Sequence, residues 1–411
     1  MYQIILYFIG ILIAIIILVA AYIKMKFRFW TLQPVFHIYD FHYYLFPPGI
    51  INPELPEKNK YCNFKEIETE KYDSLSEFQI NKFVRFICSN YLKNEDNCYS
   101  PTKNNIMPYF EGHNATSFFS FYYEDELLMN LKKGTTVQDK RLIGIMTTRP
   151  LNVTINKGRI NKGSSQIKMD VYYVDHLCVD RMYRKKGIAP QVIQTHHYYQ
   201  RHNNKKIKIS LFKREDNLTG IVPLCVYNTY GFDMDKWQKP IDLMPNIASL
   251  TECGKTNIHH LFDFMRENIS RKFDICIQPE ISNILELIKT KNIFIYMMIC
   301  DGEVKSAYFY RKSCTFIRNG CEAISCFATI DGFSNKEKSN GLFVQGFKNA
   351  LWKVANENKF KFLIIEDISD NNIIIDNLKL KTKPTMISPT AYFFYNYAYH
   401  TLSSKNVFII C

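Results

Sequence analysis

The chain opens on an unbroken apolar run. From Ile4 to Ile23 every residue is apolar or Tyr or Gly, with no charge and no proline. About 20 such residues make a helix long enough to cross the hydrocarbon core of a bilayer, where the backbone must satisfy its own hydrogen bonds. A secretory signal carries a shorter run behind a basic stretch, whereas only the amino terminus precedes this one. Lys24, Lys26 and Arg28 follow it, so the positive-inside rule predicts a single-pass membrane protein whose body faces the cytosol. The anchor covers residues 1–24. Four glycosylation sequons, at Asn114, Asn152, Asn217 and Asn268, are read as chance matches in an Asn-rich chain.

Behind the anchor, residues 25–61 read as an arm; from Tyr44 to Tyr61 prolines recur without apolar periodicity, which predicts extended chain. Helical spacing then appears over Glu77–Leu92. β-type runs follow over Arg141–Thr147 and Ile167–Val179, with a helix pattern from Pro190 and a strand over Lys205–Leu211. The proline-containing stretch Lys239–Ile247 marks a boundary, after which the order begins again. Helices are predicted over Asn257–Asn268 and Ile281–Lys289, and strands over Ile293–Ile299, Ser306–Tyr310 and Ala323–Thr329. A long helix Leu342–Asn358, strand Phe362–Glu366, helix Asn371–Leu380 and strands Ala391–Tyr397 and Asn406–Cys411 complete the pattern. Two α/β (α+β) halves of similar element order, residues 62–240 and 241–411, imply an internal duplication.

Composition narrows the partners. Of 411 residues, 47% are hydrophobic and 22% charged, which excludes a largely disordered chain. With 52 basic against 39 acidic residues the net charge is +13, which favours a polyanionic partner: nucleic acid, an anionic membrane or a phosphate-rich co-substrate. No zinc-finger, RNP-type or helix-turn-helix signature is present, so nucleic acid is set aside. The 12 cysteines fall singly with no C-x-x-C pair and read as reduced, mostly buried thiols. His196-His197 and His259-His260 lack partners at ligand spacing, so neither a metal nor a permanently bound cofactor is expected.

The sharpest local feature is His176-Leu177-Cys178-Val179 running into Arg184-Lys185-Lys186-Gly187-Ile188-Ala189-Pro190. A buried strand ends, a basic glycine loop follows, and a helix opens with proline in its first turn. Backbone N–H groups of such a loop, beside a helix N-terminus, form an anion site, and Lys and Arg add full charges for phosphate. The spacing Arg184-x-x-Gly187-x-Ala189 resembles the pyrophosphate loop of the acyl-CoA-dependent N-acetyltransferase (GNAT) superfamily. Val226-Tyr227-Asn228-Thr229-Tyr230-Gly231-Phe232 resembles that superfamily's later motif, a Tyr near a helix end followed by Gly-Phe at a turn.

A narrower resemblance spans Phe27 to Cys411. Phe29-Trp30-Thr31-Leu32-Gln33-Pro34-Val35 is similar to the F-W-x-T-Q-P-V segment of the N-myristoyltransferases, and Val174–Val179 with Arg184–Pro190 to their I-N-F-L-C-V…R-S-K-R-V-A-P signature. Asp301–Val304, Asn377–Asn396 and Ser403–Cys411 are similar to the family's last segments. The family consists of two GNAT-like halves packed as one unit, and the resemblance implies site roles. Arg28, Phe29 and Trp30 would sit against the acyl-CoA. His176, Leu177, Cys178 and Val179 would line the thioester, with the amides of His176 and Leu177 as the oxyanion hole. Arg184, Lys185, Lys186, Gly187, Ile188 and Ala189 would hold the pyrophosphate, and the terminal carboxylate of Cys411 would be the base. The implied reaction moves a myristoyl chain from CoA, a co-substrate, to the N-terminal glycine amine of a peptide or protein.

Five departures stand out. His176 replaces the family's Phe, and Asp175 its Asn. The family's K-F-G-x-G-D-G loop is Lys379-Leu380-Lys381-Thr382-Lys383-Pro384-Thr385, which exchanges glycines and an acid for lysines, so peptide selectivity is expected to differ. The acidic segment that accepts the substrate amine is echoed weakly by Asn94–Tyr99, and the anchor is an addition. Two alternatives remain open: another GNAT-type N-acyltransferase acting on a different acyl group or amine, and a non-catalytic acyl-CoA-binding protein.

Overall fold

The computed structural model describes residues 2–46, 48–92, 97–130, 135–156, 166–215, 220–317, 320–333 and 336–411. Asn94–Asp96 and the sequon residue Asn217 lie outside them. Helix α1 (Tyr2–Lys26) stands free of the body over nearly all its length, and only Ile23 near its end is buried. Its Gln3–Lys26 stretch is long and apolar enough to cross a membrane.

The body is built on one large mixed sheet with helices packed on it, beside a separate two-stranded pair of Gly49–Ile50 with Tyr397–Ala398. In chain order the elements are α2 (Glu77–Asn90), β1 (Phe118–Asn130), β2 (Thr135–Ile155), β3 (Ile167–Val179), α3 (Ile188–Asn203), β4 (Ile209–Glu215) and β5 (Cys225–Asp233). They continue with α4 (Ile258–Lys272), β6 (Ile275–Gln278), α5 (Ile281–Lys289), β7 (Ile293–Cys300), β8 (Glu303–Ile317), β9 (Cys321–Asp331), α6 (Lys336–Asn358), β10 (Phe362–Glu366), α7 (Asn371–Lys379), β11 (Met386–Tyr395) and β12 (Val407–Ile409). Helix α2 starts where Ser76 and Gln79 cap each other reciprocally, and it buries Phe83, Phe86 and Ile87 on one face.

Two parallel strand pairs, each closed by a helical crossover, recur along the chain. β3 pairs with β4 over Val171–Val174 and crosses through α3; β9 pairs with β10 over Ala323–Cys326 and crosses through α6. The halves then interlock: β11 lies between β4 and β5, and β5 lies between β11 and β10. β12 pairs with β6, which pairs with β2 of the first half.

Val226–Phe232 is not a helix end and turn. It is the interior of β5, flanked by strands on both sides, and its β-branched and aromatic residues suit that place. Gly231 allows the close approach of its neighbours, since a Cβ there would meet the Phe362 ring at 2.8 Å. The short strand expected over Arg141–Thr147 is the middle of β2, whose hairpin partner β1 was not anticipated.

Candidate active site

The site begins where two strands part. β3 and β4 stop pairing after Val174 and Phe212, and beyond that point β3 has β2 as its ladder partner. The register against β2 shifts here: Thr148 faces Val174 and Thr147 faces His176, which leaves Asp175 as the extra residue of a bulge. A cavity of about 330 Å³ opens in the gap, lined by Val174, Asp175 and Leu177 of β3, Ile193 and His197 of α3, and Phe212 of β4. The His176 amide donates to Thr147 Oγ1 at 3.2 Å. Successive strand amides point to opposite edges, so the Leu177 N–H faces the unpartnered edge.

The side chains of His176 and Cys178 lie on the α2 side of the strand. His176 packs edge-on against Phe83 and Tyr91, at 5.7 and 5.5 Å between ring centres, with Nδ1 3.2 Å from Thr147 Oγ1. Burial, with Arg149 nearby, pushes its pKa down to about 3, so the imidazole is neutral and fills the space of an aromatic ring. Burial raises the Cys178 thiol to about 12, which makes it inert as a nucleophile. Leu177 and Val179 pack on the other side with Trp30, Ile188 and Val192.

The loop from Asp180 to Ile188 is built to present amides. Asp180 caps the turn by accepting from the Met182 N–H at 2.9 Å. Lys185 and Gly187 both take left-handed conformations, φ 65° and 79°, and Gly187 opens α3 without any side-chain cap. The first amides of α3 are therefore unsatisfied by side chains, and the space beside Gly187 is open. Arg184 is engaged elsewhere: its guanidinium donates to the Asn90 and Val179 carbonyls at 2.9 and 3.4 Å, pinning the loop to the end of α2. Lys185 and Lys186 are exposed, with Lys186 Nζ over the Tyr183 ring.

The arm completes the wall. Trp30 stacks on Phe212 at 5.8 Å and 15°, and Phe29 is buried against α3 with its ring edge-on to Tyr61. His37 Nε2 lies 3.0 Å from the Trp30 carbonyl, and Tyr395 donates to Gln33 at 2.7 Å, so the arm is tied to β11. Arg28 is exposed.

Cys411 lies at the far side of the bulge. β12 carries it into the core, where it is only 8% exposed; its main-chain oxygen accepts from Arg311, and Sγ lies 3.2 Å from the Tyr392 hydroxyl. Arg311 also bonds Glu366 at 2.9 Å, and Glu366 accepts from Lys213 at 3.1 Å and Tyr227 at 2.6 Å. Burial opposes the Glu366 charge, but Lys213 and Arg311 hold its carboxyl below the ordinary range. A second pair sits alongside: Arg149 Nε reaches both oxygens of Asp175, at 2.9 and 3.0 Å, between the rings of Tyr109 and Tyr173. Burial raises the Asp175 carboxyl above its usual value despite Arg149. Arg149 also feels the negative charge at Cys411, and its partner Asp175 lines the cavity. Arg149, Arg311, Glu366 and Lys213 went unread in the sequence. The available signal was an ionisable residue inside or closing an otherwise apolar strand, which when buried requires a partner.

Most of the chain superimposes on solved structures. Saccharomyces cerevisiae N-myristoyltransferase with bound myristoyl-CoA matches with a TM-score of 0.70 and 13% identity, over 93% of this chain and 99% of that one. A second structure of that protein with myristoyl-CoA gives 0.70 and 14%, over 94% of each chain. The fold is that of N-myristoyltransferase. A third, with myristoyl-CoA and inhibitors, gives 0.66 and 15% over 92% of this chain and 91% of that one. No protein-family model matches the sequence, and no curated protein matches it. The N-myristoyltransferase fold agrees with the α/β halves expected from the sequence, and this chain adds an apolar N-terminal helix. It is reached here with His176, Asp175 and the Lys379–Thr385 loop in place of the residues named in the sequence resemblance.

Proposed function

We propose that this chain is an acyltransferase that moves a long acyl chain, myristoyl, from CoA to the N-terminal glycine amine of proteins. The observation that carries this reading is the cavity between the splayed β3 and β4, with an unpaired strand edge at Leu177 and an uncapped helix start at Gly187. In this reading the acyl chain occupies the cavity against Trp30, Phe212 and Ile193. The pyrophosphate rests on the amides of Gly187, Ile188 and Ala189, with Lys185 and Lys186 around it.

The amine nitrogen attacks the thioester carbon directly, and the charge that develops on the oxygen is met by the Leu177 amide. The His176 amide, expected from the sequence resemblance to share this role, donates to Thr147 on the opposite edge of the strand and takes no part. The C–S bond then breaks, CoA leaves as the thiolate, and the proton lost by the amine passes to the Cys411 carboxylate. Arg311 orients that carboxylate. Helix α1 would hold the enzyme at a membrane, where one acyl chain on the product binds only weakly by itself.

Binding tests the co-substrate. Lys185→Ala with Lys186→Ala should weaken myristoyl-CoA binding roughly tenfold to a hundredfold, since charge-assisted contacts to phosphate are lost. Arg184→Ala should instead lower stability, because its contacts are to Asn90 and Val179. Titration calorimetry and a thermal melt separate the two. Unchanged affinity in the folded double variant would remove the loop from the site, and acetyl-CoA displacing myristoyl-CoA as well as palmitoyl-CoA does would contradict a long-chain cavity.

A further inference from the structure

A second, larger concavity lies in the other half of the molecule. Its volume is about 800 Å³, and it shares no lining residue with the acyl cavity. Its walls are α6, the segment from Met234 to Ile241 and the end of α7 with Lys381 and Thr382. These walls are fixed to one another. Gln345 and Asn349 of α6 donate to the Ile241 carbonyl at 3.2 and 2.9 Å, Met234 N–H bonds the Lys361 carbonyl at 2.9 Å, and Thr382 N–H bonds that of Leu378 at 2.8 Å.

The lining is basic and aromatic. It contains Lys236, Lys239, Lys348, Lys361 and Lys381 against one acid, Asp235. Lys361 is paired with Asp235 and Lys239 with Asp242, but Lys236, Lys348 and Lys381 have no carboxylate partner among the described residues. Lys348 is half-buried and holds Asn377 Oδ1 at 2.7 Å; burial, and then the nearby Lys381, lower its hold on its proton. Two like charges converging on a half-buried groove are unfavourable unless an anion lies between them. On the same wall the indole N–H of Trp237 is buried with no acceptor among the described residues. Trp352 is half-buried and stacks on no ring among them. Lysines for phosphate, an indole donor and an unpaired indole face are the parts of a site for a phosphorylated planar ring.

We propose that this groove binds a nucleotide, with its phosphates on Lys348 and Lys381 and its base against Trp352. The chain has three tryptophans, and two of them line the groove, so emission in a Trp30→Phe background reports on it alone. Full-length protein in detergent at physiological salt is titrated with ATP, GTP and UTP, with inorganic triphosphate, and with a Glu-rich decapeptide. At least one nucleotide should quench emission saturably and bind at least about tenfold more tightly than triphosphate or peptide. Lys348→Ala with Lys381→Ala should weaken that binding about tenfold or more. The exposed single change Lys381→Glu should weaken it too without lowering the melting temperature. Lys185→Ala with Lys186→Ala should leave it unchanged. Absence of saturable quenching by all three nucleotides would overturn the proposal. So would equal or tighter binding of triphosphate or the acidic peptide, or a quench insensitive to both lysine variants.

Discussion

A short peptide tag added after Cys411 is expected to lower turnover by about 10²–10⁴-fold while leaving myristoyl-CoA affinity unchanged. The tag converts the carboxylate held by Arg311 into a neutral amide, which removes the proposed proton acceptor. The acyl cavity and phosphate loop draw their walls from other elements, so co-substrate binding should not follow. Cys411→Ser keeps the carboxylate and a polar group for Tyr392, and should retain most activity. An N-terminal amine has a pKa of about 7.7–8.0, so at neutral pH the base removes a proton that solution leaves in place. As pH rises through that range the amine becomes neutral by itself, and the deficit of the tagged enzyme should shrink. Steady-state rates from about pH 6.5 to 9 check this. A tagged enzyme with normal turnover at neutral pH excludes the terminal base, whereas lost acyl-CoA affinity would mark β12 as a purely structural strand.

The second large effect concerns the bulge. Arg149→Leu is expected to destabilise the fold by about 3–5 kcal/mol, because it strands the buried Asp175 carboxylate without its partner. Asp175→Asn strands the buried Arg149 guanidinium in turn, but its amide oxygen can still accept from Nε, so it should also destabilise, by a smaller amount. The double variant Arg149→Leu/Asp175→Asn should recover most of the loss, giving a coupling at or above the upper end of the roughly 0.5–3 kcal/mol seen for contacting residues. Urea unfolding of the full-length protein in detergent measures the cycle. A cost below about 1 kcal/mol for Arg149→Leu would mean that water or chain relaxation reaches Asp175, against the burial described here. Asp175 also lines the acyl cavity, so the same variants report whether the pair holds the bulge that exposes the Leu177 edge.

The sequence made some elements readable for local reasons. Ile167–Val179 was bounded as it stands because its residues suit a long strand and a basic loop with Gly187 ends it. α2 was legible from its apolar spacing, and the Gly187 loop from the order strand, glycine, helix. The hairpin strand β1 was missed because Phe118–Tyr123 are buried in succession and acids follow at once, so no polar–apolar alternation marks it. Val226–Phe232 was misread because Tyr-Gly-Phe fits a helix cap as well as it fits a strand. What decides between them is pairing with Phe362–Glu366 and Met386–Tyr392, more than 120 residues away in sequence. The exchange of β5 and β11 between the halves is likewise non-local. So is the charged network: Arg149 meets Asp175 across the β2–β3 ladder, Arg311 meets Glu366 and Cys411 far along the chain, and Lys213 and Tyr227 reach Glu366 from the other half. Motif reading located the glycine loop but could not separate Arg184, which braces it, from Lys185 and Lys186, which are exposed.

The most direct measurement is CoA release from myristoyl-CoA by the full-length protein in detergent, offered a Gly-initiated peptide and the same peptide N-acetylated. Catalysis as described gives thiol release that depends on the free glycine amine, with the peptide gaining one myristoyl group by mass. Release no faster than with no peptide, or equally fast with the acetylated one, would contradict it.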